Sequence, residues 1–245
     1  MESTVENIPL INLAIAFIPV CVVLVLLYQW SLQAKTAFYS IVRMLLQLII
    51  IGYVLVFIFE SENLWVTLFI LTIMVTASSW IALRTIENLR LHLFKYVFIS
   101  SLLGGGSVLL LTVWLVLEID PLFKPQYTIP LAGMVFANSM NTMSLALERL
   151  GSELNNHGNY LQARNNAFNA SLIPVINTMF AVGIVSLPGM MTGQVLAGIS
   201  PLIAVRYQIL VMCMIFSSCA LSTALLLIIT KKDFIKSNYS SDFDN

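Results

Sequence analysis

The chain has 245 residues, 59% of them hydrophobic and 10% charged, and its twelve basic and twelve acidic side chains leave no net charge. A soluble domain carries roughly 25% charged and about 45–50% apolar residues. The apolar excess therefore faces lipid, which excludes a water-soluble domain and makes the chain an integral membrane protein.

A helix needs roughly 20 apolar residues to cross the hydrocarbon layer. Seven segments qualify, at about 8–30, 38–59, 63–83, 96–117, 128–147, 170–198 and 208–230. No period-two strand pattern competes with them, so the expected fold is all-α, a polytopic membrane protein with about seven transmembrane helices. The sequence is expected to form a single transmembrane domain over 1–245, with a short cytoplasmic tail from 231 to 245.

The first span follows a segment with Glu2 and Glu6 and no Lys or Arg. That is the wrong charge for a cleaved leader, so this span is read as a retained helix. Cys21 lies in it, and Cys213 and Cys219 lie in the last span. All three read as packing residues rather than disulfides or ligands.

In the second span Arg43 and Gln47 are four residues apart and share a helix face as structural polar residues. Arg43 is near enough to the expected cytoplasmic end to snorkel to the interface. Between the third and fourth spans "LRTIENLRLHLFK", 83 to 95, places Arg84, Glu87, Arg90 and Lys95 at helical spacings. Such a basic amphipathic segment lies against anionic lipid or touches a cytoplasmic partner.

The fifth span, "LAGMVFANSMNTMSLALERL" over 131–150, holds Asn138, Ser139, Asn141, Thr142 and Ser144. A buried amide without a partner costs several kcal/mol, so this helix must be interior. Two readings stand: hydrogen bonds that glue the bundle, or a polar pathway.

The sixth span contains Pro174, Asn177, Thr178 and Gly183, then "SLPGMMTGQVLAG" over 186–198. Pro188 removes a backbone donor and Gly189 follows it, so a break is expected near 187–189. Broken helices at membrane depth line protein-covered or water-filled sites. Met190 and Met191 point about 100° apart on a regular helix, so both face one cavity only if the segment unwinds. The expected pathway set is Asn138, Ser139, Asn141, Asn177, Pro188, Gly189, Met190, Met191, Thr192 and Gln194. The plain alternative is a kinked helix in which the methionines fill gaps.

With the N-terminus outside, ten basic residues fall on the inner side (Lys35, Arg43, Arg84, Arg90, Lys95, Arg149, Arg164, Lys231, Lys232, Lys236) and two, Lys124 and Arg206, on the outer. The positive-inside rule then makes the C-terminus cytoplasmic. Glu2, Glu6, Glu60, Glu62, Glu118 and Asp120 gather outside, as solubilising charges or a cation-attracting vestibule.

Neither histidine and no carboxylate pair lies in a span, and no His-Glu-x-x-His, Gly-x-Ser-x-Gly or phosphate-binding Gly-Lys-Ser/Thr loop occurs. The chain is therefore expected to be neither an enzyme nor the site of nucleotide hydrolysis, and no cofactor or nucleic-acid partner is implied.

The stretch "SLIPVINTMFAVGIVSLPGMMTGQVLAGISPLIAVRYQILVM", 171 to 212, resembles the signature of the bacterial iron-export ABC transporter permeases, a family that includes plant membrane subunits of aluminium-resistance transporters. "LAGMVFANSMNTMSLALERL" and "RMLLQLIIIGYVL", 43 to 55, are similar to two further blocks of that family. The resemblance implies a homodimeric or paired permease with one transmembrane permease domain, in the bacterial inner or plasma membrane, driven by a separate cytoplasmic ABC ATPase and exporting iron or another metal ion, for which Met190 and Met191 would be the metal-contacting pair. It also implies an ATPase-coupling surface after span five, onto which Glu148, Arg149, Glu153 and Arg164 fall. That loop is shorter than the family pattern, and "NNHGN", 155 to 159, has turn chemistry. An ATP-independent channel or secondary transporter is the alternative.

Overall fold

The computed structural model describes residues 8–60, 63–86, 89–120, 124–157 and 159–234. Glu2, Glu6, Glu62, Glu87, Lys236 and the tail beyond 234 lie outside the described residues. The described chain is almost wholly helical. Five stretches in it are long and apolar enough to cross a membrane: Leu10–Gln29, Ala34–Phe59, Leu64–Thr85, Arg90–Val116 and Pro201–Ile229. The chain is thus a multi-pass membrane protein.

The chain divides into two compact units, the first comprising residues up to Ser61 together with Leu196–Gly198. Its helices are α1 (Leu10–Ile15), α2 (Ile18–Gln29) and α3 (Ala34–Glu60). Pro19 sits in the first turn of α2, where a missing N–H is harmless, so α1 and α2 join through a short kink at residues 16–17. Arg43 and Gln47 are both exposed on α3.

The second unit contains α4 (Leu64–Ala82), α5 (Arg90–Ser100), α6 (Gly106–Leu111), α7 (Pro125–His157), α8 (Tyr160–Ala181), α9 (Gly189–Leu196) except for its last residue, and α10 (Pro201–Ile229). Asn63 caps α4 by accepting from the Trp65 amide, and Asn159 caps α8 by accepting from the Leu161 amide. Wider π-helical turns at Ser101–Gly105 and Thr112–Val116 interrupt the α5–α6 stretch.

In the 83–95 segment, the Arg90 guanidinium stacks over the Trp80 ring at 3.9 Å and donates to the Trp80 carbonyl at 2.9 Å. Arg90 thus ties the start of α5 to the last turn of α4, a structural job that its amphipathic spacing does not announce.

Two apolar clusters form the interior of this unit. One gathers Leu83, Leu93, Val97, Met143, Leu147, Leu150, Leu226 and their neighbours. The other gathers Val75, Leu109, Val113, Leu131, Val135, Phe136, Val211 and Met214. Helices α4, α7 and α10 contribute to both, and between their two contributions each carries buried hydroxyls: Ser78 and Ser79, Ser139 and Thr142, Ser218 and Ser222. Ser100 and Ser101 occupy the same interval between Val97 and Leu109. Small side chains let the helices approach closely here.

Helices α7 and α8 run beyond the expected spans. The 33 residues of α7 make a rod about 50 Å long. Asn155, Asn156 and His157 continue the helix rather than forming a turn, because Leu150 and Leu154 are buried against Tyr160, Ala163 and Ala167 of α8. That burial outweighs the modest helix propensity of Asn.

The break expected near 187–189 is present and is wider than expected, covering 182–188. The helix stops at Ala181, and Val182 turns to extended geometry, while Gly183 adopts φ +83°, a conformation open to glycine. The carbonyl of Ala181 accepts from the amides of Ile184, Val185 and Ser186, and Gly183 donates to the Ser186 carbonyl, so the turn closes on itself. Pro188 starts a helix instead of ending one. Its carbonyl accepts from the Thr192 amide at 2.9 Å as the first bond of α9.

Candidate functional site

Polar side chains of α7 and α8 meet α10 in a cavity of about 220 Å³. Its lining includes Asn138, Asn141 and Thr142 from α7, Ser171, Pro174 and Thr178 from α8, and Met212 and Ile215 from α10. The cavity stands at the hydroxyl-rich interval of α7, between that helix's contributions to the two apolar clusters.

The polar groups around it bond largely along their own helices. Asn138 Nδ2 donates to the Met134 carbonyl at 2.7 Å, Thr142 Oγ1 to the Asn138 carbonyl at 2.8 Å, and Thr178 Oγ1 to the Pro174 carbonyl at 2.9 Å. Each such bond spans four residues, the usual way a short polar side chain is satisfied within a helix. The Asn138 carboxamide keeps its oxygen, and the Thr178 hydroxyl its lone pairs, for a guest, while the Thr142 hydroxyl also meets the Cys219 thiol of α10. Bonds between elements occur elsewhere, with the Ser144 and Thr85 hydroxyls 3.4 Å apart and Asn166 Nδ2 donating to Glu153 Oε2 at 2.7 Å. Pro174, itself part of the cavity lining, sits inside α8 and leaves one backbone acceptor of that helix without its usual donor.

A second cavity, about 420 Å³ in volume, lies between the end of α8, the turn, α9 and α10. Met179, Val182, Gly183, Leu187, Pro188 and Met191 line one side of it, and Val205, Gln208, Ile209, Met212 and Cys213 the other. Met212 is shared by both cavities and is 8% exposed.

The expected pathway residues are therefore divided. Asn138 and Asn141 line the first cavity, Pro188 and Met191 the second. Ser139 is fully buried and Asn177 is exposed on α8, and neither is among the lining side chains. Gly189 opens α9, Thr192 Oγ1 donates to the Pro188 carbonyl at 3.1 Å, and Gln194 Oε1 is buried. Met190 packs with the apolar cluster around Val75 and Leu109. The two methionines thus do not share a cavity: α9 is helical at both, and the turn that would have to unwind them lies earlier, at 182–188.

The residues implied for ATPase coupling lie on the α7–α8 hairpin. Arg149 Nη2 pairs with Glu153 Oε1 at 2.6 Å, and Glu153 is 6% exposed. Glu148 and Arg149 are exposed, while Arg164 Nη2 donates to Asn165 Oδ1 at 2.9 Å. At the other end of the hairpin contact the Tyr160 hydroxyl donates to the Leu227 carbonyl of α10. Burial pushes the Tyr160 phenol above its ordinary pKa, outweighing the opposing effects of Thr230 and Arg164.

Sequence reasoning missed Met179, Gln208 and Met212. Gln208 and Met212 are four residues apart on α10, a same-face spacing visible in the sequence. The convergence of α8 and α9 on that face is long-range and leaves no local signal.

Comparison with known proteins supplies the family. Residues 10–235 match the Uncharacterised protein family (UPF0014). The chain is 31% identical to the "Probable iron export permease protein FetB" of Escherichia coli over 96% of its own length and 95% of that protein's. It is 41% identical to "UPF0014 membrane protein slr1647" of Synechocystis over 74% and 76% of the two chains. It is also 34% identical to "Protein ALUMINUM SENSITIVE 3" of Arabidopsis thaliana over 86% and 81%. No solved structure matches it. A chain of apolar helices matched from its first described span to the end of α10 belongs to the UPF0014 family of membrane proteins.

Proposed function

We propose that this membrane permease is the transmembrane subunit of an ABC-type exporter that moves iron or another metal ion out of the cytoplasm, with ATP hydrolysed by a separate subunit. The observation that carries the reading is the amide- and hydroxyl-lined cavity between α7, α8 and α10. Oxygen donors held at fixed positions can replace part of a cation's water shell. Near full-length similarity to a protein named a probable iron export permease supports the cargo class and direction.

In this reading residues 1–245 act as one permease domain, paired with a second copy in the membrane lipid. Seven helices cross, α7 and α8 among them, with the N-terminus outside and the tail from 231 cytoplasmic. The ten-to-two split of basic residues supports that orientation. The α7–α8 hairpin then projects into the cytoplasm and meets the ATPase through Glu148, Arg149 and Arg164.

The test is export from metal-loaded cells or vesicles, with and without the co-expressed ATPase. Asn138→Leu with Asn141→Leu should insert normally and lose export. Parent-rate export by that variant would overturn the pathway. One feature favours the alternative of an ATP-independent channel or secondary transporter: Glu153, the buried member of the coupling set, is committed to Arg149 and Asn166. Export that persists without any ATPase would establish that alternative.

A further inference from the structure

The second cavity is lined by four sulfur-bearing side chains from three helices: Met179 of α8, Met191 of α9, and Met212 and Cys213 of α10. The closed turn at 182–188 is what returns the chain so that Met191 faces α10. A fifth group has unspent capacity. Gln208, one helical turn before Met212, is 6% exposed, yet its Oε1 has no hydrogen-bond partner. A buried amide oxygen left in that state is unfavourable unless something in the cavity engages it.

We propose that this cavity binds a soft monovalent cation of the Cu(I) or Ag(I) class, held by the thioethers of Met179, Met191 and Met212 and by the Cys213 sulfur, with Gln208 supplying an oxygen at the same wall. Thioether and thiolate donors select soft ions, whereas oxygen and imidazole suit harder ones. Among the described residues no group of three His, Cys, Asp or Glu side chains offers a competing site. Charge chooses the valence. Cys213 binds as thiolate, its proton passing to water, so a monovalent ion gives a neutral complex, while a divalent ion leaves a net positive charge among apolar walls. The unbranched methionine side chains can close on an ion much smaller than the cavity. Met212 borders the amide-lined cavity as well, so the sulfur site adjoins the proposed pathway across that side chain. That role in transport rests on the proposed function, and the binding itself does not.

The experiment titrates the purified full chain in detergent, anaerobically, with Cu(I) against a chromophoric competitor, and in parallel with Ag(I). X-ray absorption reads the ligand atoms. The expected result is one Cu(I) retained per chain in a sulfur-dominated shell, lost in the M179L/M191L/M212L variant and in C213A, and kept in M214L, whose methionine packs in the apolar cluster on α10. A wild-type chain that retains no Cu(I), a shell of nitrogen and oxygen alone, or unchanged retention by the triple variant would overturn the site. If the triple variant does not elute as wild type, M191L and C213A carry the comparison, and unchanged affinity in both is equally fatal. Cu(I) bound without metal export under any condition keeps the site and rejects the transport reading. Export without Cu(I) binding does the reverse.

Discussion

Gly104 and Ser222 touch backbone to backbone: a Cβ built on Gly104 would lie 2.5 Å from the Ser222 nitrogen and 2.6 Å from its Cα. Neither atom can rotate away, so the π-helical turn that carries Gly104 and the middle of α10 are held at a separation only glycine permits. Gly104→Ala should destabilise the bundle by about 1–3 kcal/mol or more. Gly106→Ala, whose added Cβ meets only the end of Leu102 at 3.8 Å, should not. Thermal unfolding of the two variants in detergent, followed by loss of the monodisperse peak, separates them.

Tyr160→Phe removes the donor to the Leu227 carbonyl at the end of α10, where helix carbonyls lack their usual partners. A loss of about 1–2 kcal/mol is expected. The phenol's raised pKa gives the sign with pH: its contribution is whole below the ordinary tyrosine value and declines as pH rises from about 10 through the folded value. Melting temperature measured into the alkaline range should fall more steeply for the parent than for Tyr160→Phe.

Asp233 lies 3.1 Å from His92 Nε2, joining the residues after α10 to the first turn of α5. The His92 hydrogen bond is the main cause holding the Asp233 carboxyl below its ordinary range, against a smaller opposing effect of burial. The contact therefore stabilises above the ordinary aspartate pKa and is lost as pH falls through the depressed one. Both side chains are substantially exposed, so Asp233→Asn should cost less than about 1 kcal/mol. A variant whose acid melting curve departs from the parent by more than that would show a larger role.

Glu153 links α7 to α8 through Asn166 while pairing with Arg149 on its own helix. Glu153→Ala leaves the exposed Asn166 amide and the exposed Arg149 guanidinium without their acceptor, where water can replace it, and about 0.5–1.5 kcal/mol should be lost. Arg149→Ala, at an exposed position, should cost under about 1 kcal/mol. Proteolysis near Asn159 reports opening of the hairpin. If Glu153→Ala is cut no faster than the parent, the link is not what holds the tip closed.

The polar layer of α7 was legible because five polar residues in an apolar run have few other places to go. The full extent of the break was not. Pro188 reads as a breaker, yet proline also begins helices, and here the chain turns at Gly183, whose left-handed geometry has no composition signal beyond the glycine itself. Placing Met190 and Met191 in one cavity followed from extending the break past Pro188 into what is α9. The hairpin was underestimated because local Asn propensity says nothing of the partners that Leu150 and Leu154 find on α8. The sulfur cavity depends on three helices converging, which spacing within any one of them cannot reveal.

The uninterrupted course of α7 has a mechanical meaning. From Asn141 to His157 the helix runs about 24 Å without a proline, glycine pair or π turn, apart from the single Gly151. The buried seam with α8 stiffens it along this reach. Such a rod has no joint at which a push could dissipate, so a tilt imposed at its tip arrives among the cavity's carboxamides as a tilt of the same angle. The hairpin tip and the cavity lining are one piece of helix, and a flexible Gly-Gly insertion between Leu147 and Leu150 should uncouple a displacement of the tip from the cavity while leaving both ends folded.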